Sequence, residues 1–77
     1  MYILFEQGNQ PRFAQCVATV YNHKHSAMAH VKEMQVMFNE YNYSYVWRLH
    51  DGTEYCDGSE NVNEVQFTNI KFGGICE

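Results

Sequence analysis

Apolar and polar positions along this chain first alternate, then recur at helical spacing, then alternate again. In residues 2–6, Ile3 and Phe5 share one phase while Tyr2 and Leu4 share the other. That predicts a strand apolar on both faces, as in a sheet covered on each side. Gly8-Asn9-Gln10-Pro11 reads as a turn, because Gly and Asn tolerate positive φ and Pro ends ladder pairing. Residues 13–21 fit two periods. Phe13, Cys16, Val17, Val20 and Tyr21 form a helical stripe, whereas Ala14, Cys16, Ala18 and Val20 line one face of a strand. The ending Val17-Ala18-Thr19-Val20-Tyr21 favours the strand. Its small-residue face would let a helix lie close.

The helical stretch follows. Ala27, Val31, Met34, Phe38 and Tyr41 recur at four-three spacing, widened by Met28 and Met37. Ser26 is the expected N-cap and Asn42 the left-handed stop. Tyr43, Tyr45, Trp47 and Leu49 then alternate with Ser44, Val46, Arg48 and His50, a strand. Asp51-Gly52 predicts a two-residue type I′ hairpin with both residues at positive φ, setting Arg48 opposite Tyr55 and Trp47 opposite Cys56. The returning strand, Thr53 to Cys56, ends at Asp57-Gly58-Ser59. Beyond a polar loop, Val65 and Phe67 hold one phase and Ile70 and Phe72 the other, so a bulge is expected near Thr68-Asn69 and an end at Gly73-Gly74. The expected fold is α+β: residues 1–77 as a single small domain, order ββαβββ, an antiparallel sheet of about five strands with one helix on one face.

Composition narrows the function. Of the 77 residues, 45% are hydrophobic and 16% aromatic, too much apolar mass for a disordered tail. No apolar run approaches the roughly 18 residues of a membrane span, and the N-terminal stretch lacks the parts of a secretion signal. Cys16, Cys56 and Cys76 are widely spaced and form no paired-cysteine motif. A reducing cytoplasm is the expected setting. The net charge of −4 is uneven: residues 1–32 set Arg12, Lys24 and Lys32 against Glu6, a balance of +2, and residues 33–77 carry −6. Asp51, Glu54, Asp57, Glu60 and Glu64 follow one another with no intervening base, which marks an exposed edge.

His23-Lys24-His25 with His30 has metal-ligand residue types, but His30 lies off the geometry of a helical pair and no acid or cysteine adjoins. No metal site is expected there. No cofactor is expected, since none of the glycines opens a helix to cradle phosphate. His50-Asp51 are neighbours that point apart in a strand, and no thiol is marked as activated, so no enzyme is expected. The tyrosines are more informative. Tyr43, Tyr45 and Tyr55, with the acids Asp51, Glu54, Asp57, Glu60 and Glu64, are the candidate partner-binding residues, because Tyr gives large contact area at low entropy cost.

A very short, acidic, Tyr- and Asn-rich α+β chain of this organisation resembles the small phage-encoded inhibitors, anti-CRISPR and other anti-defence proteins among them. That group has no common motif, so no functional residue carries over. The resemblance implies a non-enzymatic protein that occupies a site on a host protein or nucleoprotein complex, in some members by imitating nucleic-acid charge. Two other readings stand beside it: a small nucleic-acid-binding domain using Arg12, His23, Lys24, His25 and Lys32, disfavoured by the overall charge, and a homo-oligomer, such as a homodimer, pairing through an open sheet edge or an apolar face.

Overall fold

Alternation at the start of the chain builds β1, Tyr2–Gly8, whose Leu4, Glu6 and Gly8 are buried and whose Ile3, Phe5 and Gln7 are half-buried. The computed structural model describes residues 1–8, 15–52, 54–60, 62, 67 and 69–76. The remaining elements are β2 (Val17–Tyr21), α1 (Lys24–Glu40), β3 (Tyr45–His50), β4 (Tyr55–Gly58) and β5 (Lys71–Cys76). The five strands form one sheet in the order β4-β3-β1-β2-β5. The α+β class, the single helix and the strand count are as expected. The sheet is mixed rather than wholly antiparallel, because β5 runs parallel to β2 while β1–β2, β1–β3 and β3–β4 are antiparallel.

This order follows from where the chain can turn. Both β2 and β3 pair antiparallel to β1, one on each side, so they run parallel to each other. A parallel return requires a long crossover, and α1 supplies it. The helix covers the face bearing Leu4, Tyr21, Trp47 and Leu49, which with Ala27 and Val31 make the core. Cross-strand register places Ala18 beside Phe5, and Val20 beside Ile3, on the opposite face. The small residues of β2 therefore face away from the helix, contrary to expectation. Close approach comes instead at Gly8, on whose bare Cα the Phe38 ring rests.

In α1 the buried stripe is Ala27, Val31, Met34 and Phe38; Met37 and Tyr41 are exposed and fall outside it. The helix begins before the expected cap. His23 is the N-cap and makes no side-chain cap bond, which places Ser26 at the third helical position. Its C-terminus is as expected. Asn42 takes φ 58°, the Tyr43 N–H donates to the Phe38 carbonyl at 2.9 Å and the Asn42 N–H to that of Asn39 at 3.1 Å. These are the two bonds of a Schellman motif, completed by the Tyr43 ring edge-on to Phe38.

The hairpin differs from a type I′ turn. Gly52 has φ 107° but Asp51 is not at positive φ. His50 pairs with Tyr55, Leu49 with Asp57 and Arg48 with Gly58, so Cys56 is an extra residue and the loop spans residues 51–54. Asp51 drives the longer loop: its N–H donates to the Glu54 carbonyl at 2.9 Å, and its Oδ1 accepts the Glu54 N–H at 3.2 Å. β4 accordingly starts at Tyr55 and runs through Asp57-Gly58, where a break was expected. The expected strand over Val65 and most of the Gly8–Pro11 turn lie outside the described residues, as do Arg12, Phe13 and Ala14.

The bulge expected near Thr68-Asn69 falls partly outside the described residues, and β5 does not end at Gly73-Gly74 as expected but changes phase there and continues to Cys76. Ala18 pairs with Phe72 and Thr19 with Gly74, leaving Gly73 as the extra residue of a bulge. A Cβ at Gly73 would stand 2.6 Å from Val17 Cγ1, and Gly74 has φ 108°. Two glycines in a row make this bulge possible.

Candidate functional site

The acidic candidates occupy one edge of the sheet. β4 is the outermost strand on its side. Asp51, Glu54 and Glu60 are exposed and Asp57 is half-buried, all in the hairpin or just after β4. Asp57 Oδ1 accepts the Gly58 N–H at 2.8 Å, which tethers its carboxylate to the strand. Among the described residues the one ion pair joins His30 to Glu6, so none of these four acids is neutralised by a neighbouring base. Tyr55 lies with them, 53% exposed, its ring edge-on to His50 at 6.3 Å. Burial, followed by the nearby Arg48 charge, pushes the His50 pKa down, so this ring stays neutral beside the acids. Glu64 lies outside the described residues.

Tyr43 and Tyr45 are not part of this edge. They sit where α1 hands over to β3, and Asp51 follows the other end of that strand. At about 3.3 Å per residue the two ends are roughly 17 Å apart. Tyr43 stacks on Tyr41 at 6.3 Å and, with Tyr45, Phe38, Gln35, Val36 and Asn39, lines an open groove of about 430 Å³.

Tyr45 has a structural task. Its hydroxyl donates to Glu6 Oε1 at 2.6 Å, and His30 Nε2 lies 2.7 Å from the same oxygen. Glu6 is 4% exposed. A buried carboxylate needs such donors to offset its lost hydration. The hydrogen bond to Glu6 pushes the His30 pKa up against the opposing effect of burial. Burial first and Glu6 second push the Tyr45 phenol well above its ordinary value and that of Tyr21 up to about 12. This cluster between β1, α1 and β3 was not anticipated. The signal was present: Glu6 shares the phase of Leu4, so an acid stands in line with a core residue.

The basic side chains are scattered, and the candidate Arg12 lies outside the described residues. Arg48 lies over the Phe67 ring, 4.8 Å from its centroid, and Phe67 also packs on Phe5. Its guanidinium is thus held against the face away from the helix. Lys24 and Lys32 are exposed on α1, and His23 and His25 stack on each other at 5.3 Å near its start. No group of three or more His, Cys, Asp or Glu side chains arranged to hold a metal occurs among the described residues. Among the described residues no helix is long and apolar enough to cross a membrane. In comparison with known proteins, no family model, no curated protein and no solved structure matches this chain.

Proposed function

We propose that this chain is a non-enzymatic protein-binding module that works in the cytoplasm, in the manner of small phage-encoded inhibitors, by occupying a cationic site on a host protein complex. The observation that carries the reading is the edge strand β4 with its hairpin, where Asp51, Glu54, Asp57 and Glu60 stand beside exposed Tyr55 without an ion-pair partner among the described residues. Unpaired like charges on an edge keep strands of other chains from adding there, yet they favour a basic surface. An aromatic ring among them supplies apolar contact at small entropic cost. The binding set is therefore narrower than composition suggests: the hairpin residues with Tyr55, without Tyr45.

Affinity capture from bacterial lysate tests the proposal. The wild-type chain should retain a specific protein at low salt and release it as salt rises, mainly through slower association. The double reversal Glu54→Lys/Asp57→Lys should fold and retain at least tenfold less. Equal retention by both, or none by the wild type, would reject the reading.

A further inference from the structure

The opposite edge of the sheet has the reverse character. β5 is its last strand, and Ile70, Phe72 and Ile75 are 49%, 64% and 68% exposed. Cross-strand register puts Phe72 beside Ala18 and Ile75 beside Val20, so both lie on the face away from the helix. Residues three apart share a face only because Gly73 is extra. The same bulge sets the backbone. The Lys71 N–H donates to the Cys16 carbonyl at 2.9 Å and the Asn22 N–H to the Cys76 carbonyl at 3.3 Å, so both ends of β5 turn their peptide groups toward β2. Peptide groups alternate along a strand. Phe72 and Ile75 therefore present theirs outward, where no strand lies among the described residues.

We propose that this edge pairs with β5 of a second copy of the chain, antiparallel about a two-fold axis between Gly73 and Gly74, to make a continuous ten-stranded sheet. In that register Phe72 faces Ile75 of the other copy, and Ile75 faces its Phe72. Each outward peptide group meets an outward counterpart, and each exposed apolar side chain meets another on the same face. Such self-complementarity is what a second copy supplies and an arbitrary strand does not. Charge selects the direction. The described strand carries one charge, Lys71. Parallel pairing would set two lysines about 4.8 Å apart, whereas antiparallel pairing holds them roughly 16 Å apart at opposite ends. The acids of the hairpin stay at the far edges of the double sheet. A joint this short falls below the roughly 800 Å² per partner of a standard interface, so association belongs at tens of micromolar, on that order, rather than nanomolar.

Sedimentation over a concentration series should show the mass rising from 9.1 kDa toward twice that value. Phe72→Lys/Ile75→Lys, both at exposed positions, should weaken association at least tenfold with an unchanged circular dichroism spectrum. Val36→Lys, an exposed apolar position on α1, should not weaken it. Register is tested separately: Lys71→Cys in a Cys56→Ser background should cross-link to Cys76 of the second copy on mild oxidation, and Cys56→Ser alone should not. A chain monomeric at millimolar concentration, a dimer indifferent to the edge substitutions, or no cross-link from Lys71→Cys would overturn the proposal. The edge substitutions Phe72→Lys/Ile75→Lys leave the acidic hairpin intact, so this pairing and the binding reading above can fail independently.

Discussion

A single methyl group at Gly8 should be felt across the whole domain. Gly8 pairs with Tyr45 at the end of β1, and the Phe38 ring closes the core over it. A Cβ there would overlap Phe38 Cε2 and stand 2.7 Å from Cζ. Ordinary carbon contacts need about 3.5–4.0 Å, so the ring would have to move by on the order of 1 Å. It has little room, being 2% exposed and packed on Tyr45 at 5.2 Å between ring centroids. Gly8→Ala should therefore cost about 2 kcal/mol, within the usual range for overpacking, and lower the melting temperature by roughly 8–16 °C. Phe38→Leu removes the ring atoms that collide and should largely abolish that cost, although it is destabilising alone. Urea unfolding of wild type, both single variants and the double variant measures the coupling, expected to exceed about 1 kcal/mol in the direction of rescue. Additivity within about 0.5 kcal/mol would refute the placement of the helix end over Gly8.

The Glu6 cluster predicts a pH dependence. His30 has a folded pKa above its unfolded value, so its contact adds stability that is fully present below about pH 6.5 and is lost as pH rises through the folded value. Glu6, Tyr45, Tyr21 and Glu33 are the ionisable groups around it, and the two phenols stay protonated across this window. Titration by NMR should give His30 a raised pKa that falls toward 6.5 in Glu6→Gln, and wild type should lose more stability than His30→Gln between pH 6 and 8; an unshifted His30 would contradict the contact. At the helix end, Asn42→Ala should cost about 1–2 kcal/mol because Ala resists φ near 58°, while Asn42→Gly should not destabilise. Chemical denaturation checks both, and equal loss in the two variants would rule out the left-handed cap.

How far the fold could be read depended on whether each signal was local. The stripe Ala27, Val31, Met34 and Phe38 is set by periodicity within one element, and Asn42 by its own tolerance of positive φ, so both were legible. The N-cap was not. Ser26 has the right chemistry, but helix formation extends back to Lys24 with no side-chain cap, held by the packing of Ala27 and Val31 on the sheet. Asp51-Gly52 misled for a related reason: the Asp51 carboxylate accepts from Glu54, stabilising a longer loop that the dipeptide alone does not encode. For the candidate site, the run of acids was evident in sequence. Whether Tyr43 and Tyr45 joined it required knowing that they begin β3 while the acids follow its end.

Strand order turns an uneven charge sequence into two unlike edges. Residues 51–60 carry four acids and residues 72–76 carry no charge, and only the order β4-β3-β1-β2-β5 sends these segments to opposite sides. Getting from β4 to β5 obliges the intervening chain to cross the sheet. Phe67, lying on Phe5 and under Arg48, marks part of that passage on the face away from the helix. Val46, whose phase is opposite to that of Trp47 and Leu49, is buried on that face as well. At β5, by contrast, Phe72 and Ile75 are exposed on that same face. Four inter-strand spacings of about 4.8 Å separate β4 from β5, roughly 19 Å, more than twice the physiological screening length of about 8 Å. Charge at the acidic edge therefore exerts little force at the apolar one. A chain that pairs through β5 can keep its acids free for a different partner, and the two contacts need not compete.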